Sequence, residues 1–124
     1  MKPSCLNFVN AFVDQSLDLK LAHQKMLDEW MPENPPLTIL FGALGDQVIE
    51  NLSGREEAAN RRIFQLVETA MASDDEELRT AVATGLIEAV VTKTDGKEAL
   101  WQYALSLFGD LSKKHAEWWR GFGS

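Results

Sequence analysis

The sequence predicts an all-α fold of six to seven helices, and three observations lead there. Apolar residues recur at three- and four-residue spacing in one segment after another. No stretch alternates apolar and polar residues with the period of two that a half-buried strand requires. Short runs rich in helix-breaking and turn residues, such as MPENPP at 31–36 and TKTDGK at 92–97, separate the periodic segments. A chain of 124 residues is long enough to bury one core unaided, so a single domain, 1–124, is expected. The helices could form a compact bundle or stack as helical hairpins; no internal period demonstrates a repeat.

In the first helix, from Ser4 to Asp14, Leu6, Val9 and Val13 lie along one side with Phe8 and Phe12 beside it, and Pro3 suits a first-turn position. The second, from Leu17 to Trp30, carries Leu19, Ala22, Met26, Leu27 and Trp30 at helical spacing and should pack on the first. Proline lacks the amide donor and restricts the residue before it, so MPENPP ends this helix. Pro36 opens the third, whose buried stripe is Leu37, Leu40, Phe41, Leu44, Val48 and Leu52. Gly42 and Gly45 there lack the spacing of a phosphate loop and read as points of close helix packing.

Ser53 and Glu56 have the spacing of a capping box and would begin a fourth helix carrying Ala59, Ile63, Leu66, Val67, Ala70 and Met71. The organising element follows at Ser73–Val91, with Ser73 and Glu76 as a second capping box. Leu78, Val82, Leu86, Ala89 and Val90 form its main stripe, and Ile87 and Val91 widen it towards a second neighbour, which places this helix near the centre of the core. Gly85 costs roughly 1 kcal/mol of helix propensity relative to alanine, so another backbone should approach it closely. A further helix holds Leu100, Tyr103, Ala104, Leu107 and Phe108, with Gly109 in the left-handed conformation that ends it. The last, from Ser112 to Trp119, is aromatic-rich; Trp118, Trp119 and Phe122 either lid the core or anchor a partner before GFGS frays.

Charge excludes several functions. Nineteen acidic and 12 basic residues give a net charge of −7, which nucleic-acid phosphates and anionic lipid surfaces repel. The single Cys5 cannot form an internal disulfide, no stretch approaches the roughly 20 apolar residues that span a bilayer, and the N-terminus is too polar for a signal-peptide core, so a cytoplasmic protein is expected. His23 and His115 sit in different helices, no nucleophile–base–orienter triad is readable, and neither a metal site nor a cofactor motif is present in the pattern. An enzyme is therefore not expected. The acid is unevenly placed, with Asp28, Glu29, Glu33, Asp46 and Glu50 between Lys25 and Arg55 and no base among them. Asp74, Asp75, Glu76 and Glu77 lie at a helix start, where the helix dipole favours negative charge and a basic surface could also dock.

The order FGALGDQVIENL, IFQLVE, DDEELRTAVATGLIEAVV and LFGDLSKKHAEWW resembles a family of small all-helical bacterial immunity proteins of polymorphic toxin systems, including contact-dependent growth inhibition. The resemblance covers Leu37 to Trp119. It implies a protein that neutralises a basic toxin, typically a nuclease, in a 1:1 complex by covering its active site, without a cofactor, a membrane or direct nucleic-acid contact. Charge placement alone then nominates Asp46, Glu50, Asp74, Asp75, Glu76, Glu77 and Glu88 as the partner-binding surface. The rival expectation is a scaffold of helical-repeat type that binds an endogenous protein segment between helices. A pocket between helices for a small molecule needs few recognisable residues and stays open as a third.

Overall fold

The computed structural model describes residues 1–122, apart from the side chain of Phe122, and within them the chain is helical throughout, with no strand. Helices α1 (Pro3–Val13), α2 (Leu17–Trp30), α3 (Leu37–Glu50) and α4 (Glu57–Met71) precede a composite α5 over 76–93. Within α5, α-helical Glu76–Thr80 passes into a wide π-helical stretch, Ala81–Ile87, and returns to α-helix at Glu88–Lys93. Helices α6 (Glu98–Leu107) and α7 (Asp110–Phe122) complete the chain. Of GFGS, expected to fray, Gly121 and Phe122 instead continue α7, and Gly123 and Ser124 lie outside the described residues.

Helix α5 is central. It buries Leu78, Ala81, Val82, Leu86, Ile87, Val90 and Val91, and it touches α1, α3, α4 and α7. Because α1 reaches both α4 and α5, the chain closes on itself; stacked hairpins would touch only their neighbours. The packing is that of a bundle around a core helix. Stacked rings of Phe8, Phe12 and Phe41 fasten α1 to α3, and Phe108 packs edge-on to Phe64 to hold the α6–α7 junction on α4.

The most extensive contact is between α3 and α5, which run parallel: Thr38 lies beside Gly85, Gly45 beside Leu86 and Ala89, and Glu50 beside Lys93. The glycines make this possible. A Cβ on Gly45 would stand 2.5 Å from the Leu86 carbonyl oxygen and 3.0 Å from the Ala89 Cβ, and one on Gly85 would stand 2.8 Å from the Phe41 Cβ. The π-helical turns coincide with this approach, and the Thr84 hydroxyl donates to the Thr80 carbonyl at 2.7 Å where the helix enters the wide stretch. A continuous α-helix was the expectation; a wide turn has no signature in apolar periodicity.

Three local expectations are corrected. Asp75, not Ser73, caps α5: its Oδ1 accepts from the Leu78 amide at 3.2 Å, while the Ser73 hydroxyl is occupied by the Asp75 amide at 3.0 Å. Aspartate caps as well as serine, so the helix starts two residues late. Ser53 and Glu56 form no capping box either, and α4 starts after Glu56 without a side-chain cap. The turn there is instead held by Arg55, whose side chain is drawn into the core. Gly109 is not left-handed; among the described residues Gly96, at φ 74°, is the glycine that uses that region. Gly109 leaves room for Glu68, since a Cβ would stand 2.4 Å from the Glu68 Cγ. Through that gap Glu68 accepts from the amides of Leu111 and Ser112 at 3.0 and 2.9 Å, which caps α7 from a different helix.

Gly45→Ala is expected to destabilise the fold by about 1–3 kcal/mol, because its methyl meets backbone that cannot yield. Gly42→Ala, whose Cβ would sit at an ordinary 3.7 Å from the Gly85 carbonyl oxygen, should instead gain up to about 1 kcal/mol of helix propensity. Urea denaturation of the two variants beside the parent checks both signs.

Candidate functional site

Parallel packing brings the N-terminal ends of α3 and α5 together, and the start of α1 lies against them. Between them is a groove of about 610 Å³ lined by Lys2, Leu37, Thr38, Asp74, Asp75, Glu76, Glu77, Thr80 and Ala81. Four carboxylates face one ammonium. Leu37 and Ala81 supply apolar surface, and Thr38 and Thr80 supply hydroxyls. Asp75 is fixed: besides capping α5, it accepts from the Ser4 hydroxyl and pairs with Lys2 at 3.3 Å. Those hydrogen bonds, the one from Ser4 foremost, bring its carboxyl from 3.8 to about 2, so it stays ionised. Asp74, Glu76 and Glu77 are exposed.

The other nominated residues lie elsewhere. Asp46 and Glu50 lie further along α3, about 14 and 20 Å from Leu37 at 1.5 Å per residue. There they line a separate, smaller groove of about 220 Å³ against α2. Glu50 is bound to Lys93 at 2.7 Å, which holds its carboxyl below the ordinary range. Burial pushes the Asp46 carboxyl up, against the pull of Lys93 and with the help of Glu50. Glu88 faces α7 and sits 2.9 Å from His115 Nε2, with both side chains largely covered. The single acidic surface expected from charge placement is thus split. Asp74, Asp75, Glu76 and Glu77, consecutive at the start of α5, share one groove, and Asp46 and Glu50 share the other, because the parallel helices put the start of α5 and the end of α3 at opposite ends.

Groups with chemical potential elsewhere are tied into structure. Cys5 is buried with its Sγ 3.9 Å from Glu77 Oε1, and burial together with that charge pushes the thiol up, away from reactivity. Burial also holds the half-buried His23 imidazole below its ordinary value. No group of three or more metal-ligating side chains is assembled among the described residues. Of the aromatic ending, Trp118 is exposed, Trp119 packs against the core, and Phe122's side chain lies outside the described residues. Trp101, on α6, is the tryptophan that is fully covered, with the Arg120 guanidinium 4.5 Å above its ring.

Residues 9–123 match a domain of unknown function, DUF7674. The chain belongs to the DUF7674 family. No curated protein and no solved structure matches it. The DUF7674 match takes in α2 to α7 and the later part of α1, and hence Leu37, Thr38 and the four carboxylates of the groove. Lys2 and Ser4, which bind Asp75 from the start of α1, precede it. Among the described residues no helix of this DUF7674 protein is long and apolar enough to cross a membrane.

Sequence reasoning missed the buried polar centre of the domain. The Arg55 side chain is only 3% exposed, and it donates to Asp18 Oδ2 at 2.6 Å, to Asn60 Oδ1 at 2.8 Å and to the Val48 carbonyl at 3.2 Å. Asn60 in turn donates to the Leu52 carbonyl and to the Tyr103 hydroxyl, so one guanidinium ties α2, the α3–α4 turn, α4 and α6 together. Every buried side-chain polar atom described has a partner. Burial pushes the Asp18 carboxyl up, but hydrogen bonds from Arg55, Ser16 and Gln47 outweigh it and bring it from 3.8 to about 2.

Arg55→Ala should cost about 3–5 kcal/mol, since it takes the charged partner from the half-buried Asp18 carboxylate and leaves the buried Asn60 Oδ1 without its donor. The sign of the pH effect follows from a depressed carboxyl: the roughly 2 kcal/mol that Asp18 contributes is present in full above pH 4 and is lost as pH falls from about 4 to 2. Acid titrations of stability for the parent and Asp18→Asn should differ above pH 4 and converge below pH 2.

Proposed function

We propose that this DUF7674 protein works in the cytoplasm by binding rather than by catalysis, as an immunity protein that neutralises a cognate basic toxin, such as a nuclease domain, in a 1:1 complex. The observation that carries the reading is the groove at the paired N-termini of α3 and α5, where four carboxylates surround a short apolar floor. A basic side chain entering there would place its aliphatic stem on Leu37 and Ala81 and its charged head among Asp74, Glu76 and Glu77. Such a surface imitates the phosphates that a nuclease attracts, and complementary charge raises the association rate more than the final affinity. The net charge of −7 extends that steering beyond the contact itself. The resemblance over Leu37 to Trp119 fits the same account, in which the toxin's active site is covered and no reaction takes place on this chain.

The groove, and not the whole acidic surface, is the proposed contact. Asp75 is excluded from the test because it caps α5 and its loss would disturb the helix. Co-expression with the toxin domain encoded beside the gene should protect cells, and the two proteins should co-purify. Charge reversal at Asp74, Glu76 and Glu77 together should slow association at low salt by about tenfold or more and flatten its salt dependence. The same reversal at Asp46 and Glu50, outside the contact, acts only through the net charge and should slow association far less. Wild-type protection and kinetics in the triple variant, with its fold intact, would overturn the assignment of this surface.

A further inference from the structure

We propose that the outer face of α2 is a self-complementary surface on which two copies of this chain pair antiparallel. Helix α2 buries a single residue, Leu19, although it spans 14 residues. Its outward face carries large apolar side chains that the bundle leaves uncovered: Leu17 is 70% exposed, Leu21 61%, and Met31, at the end of the helix, 72%. Lys20, Gln24 and Asp28 are exposed with them. At 3.6 residues per turn these six residues fall within an arc of about 100°, so they form one stripe along the whole helix.

The order of the stripe points to the occupant. Gln24 stands at its middle, with Lys20 four residues before it and Asp28 four after, then Leu17 seven before and Met31 seven after. A two-fold axis at Gln24 that sets a second α2 antiparallel brings Lys20 against the partner's Asp28 and Leu17 against the partner's Met31. By symmetry each contact occurs twice, as a closed two-fold interface requires. The two Gln24 amides meet on the axis, where each can donate to and accept from the other. A single chain has only exposed substitutes for these contacts: Lys20 pairs with Asp14 at 3.2 Å, and Gln24 donates to Asp28 at 2.9 Å. Exposed contacts of that kind contribute little in water, so exchanging them costs little.

The stripe is about 21 Å long at 1.5 Å per residue, which is shorter than a standard interface of about 800 Å² per partner would need. The pairing is therefore a weak, concentration-dependent dimer and not an obligate one. It involves none of the residues of the acidic groove and does not depend on the proposed toxin-binding role.

Sedimentation equilibrium over a wide concentration range, with circular dichroism to confirm folding, tests the pairing. The parent's average mass should rise from 13.9 kDa towards twice that value. Lys20→Asp and Asp28→Lys alone each set like charges face to face twice, and each should raise the dimer Kd by about tenfold. The double variant Lys20→Asp, Asp28→Lys restores opposite charges at both places and should recover the parent's Kd. A parent that stays at 13.9 kDa throughout gives the face to a different protein and overturns the proposal. So does a dimer indifferent to both single changes, or a double variant weaker than either.

Discussion

The crossing of α3 and α5 with almost no side chain between them is the constraint on which the rest of the molecule depends. Two backbones approach this closely only where both sides present glycine, and Gly45 and Gly85 meet the carbonyl and Cβ atoms of the opposite helix directly. The approach fixes the register, because a slip of one residue would bring a Cβ against backbone. Register and parallel direction together decide the surface. Thr38 and Leu37 arrive beside Thr80 and Ala81, so the acidic start of α5 gains an apolar floor; at the other end Glu50 arrives beside Lys93 and is neutralised. The same carboxylate chemistry thus becomes a groove at one end and an ion pair at the other.

Around that pair the remaining helices are fastened by polar anchors as well as apolar packing. Arg55 draws a loop into the core and joins it to α2 and α4, and Glu68 reaches from α4 to cap α7. Arg55 is a charged group removed from water and fully paired, which costs little while intact and much when one partner is lost. Such anchors add direction to a core whose apolar contacts alone would tolerate several arrangements. Helix α2, held through Asp18 and Gln47 but buried only at Leu19, keeps its outer face open.

Helix positions and most of the buried stripes were legible in the sequence because 3.6-residue periodicity records which side of each helix is covered, although Leu6 on the α1 stripe is exposed and α2 buries only Leu19. Gly85 and Gly45 were legible as points of close approach, since a glycine inside a strong helix pattern needs a packing reason; Gly42 was grouped with them, but a Cβ there would stand at an ordinary 3.7 Å from the Gly85 carbonyl oxygen. Which glycine meets which, and in which direction, was not legible, because two stripes can pair parallel or antiparallel without a change in either pattern. That missing direction is why Asp46, Glu50 and Glu88 were grouped with Asp74, Asp75, Glu76 and Glu77. Arg55 was invisible for a different reason: a lone arginine in a turn reads as solvated, and only the three-dimensional meeting of Asp18, Asn60 and the Val48 carbonyl makes burial tolerable. Lys2, Leu37 and Thr38 carry no charge pattern of their own and enter the groove through tertiary contact alone.

The central claim is that the paired N-termini of α3 and α5 form the surface that meets a basic partner. Hydrogen exchange of the chain, free and in complex with the toxin domain encoded beside its gene, locates the contact most directly. Protection should concentrate at the start of α3, around Leu37 and Thr38, and over the first turns of α5, from Asp74 to Ala81. Protection confined to α6 and α7, or to the Asp46 and Glu50 end of α3, with those first turns unchanged, would contradict it.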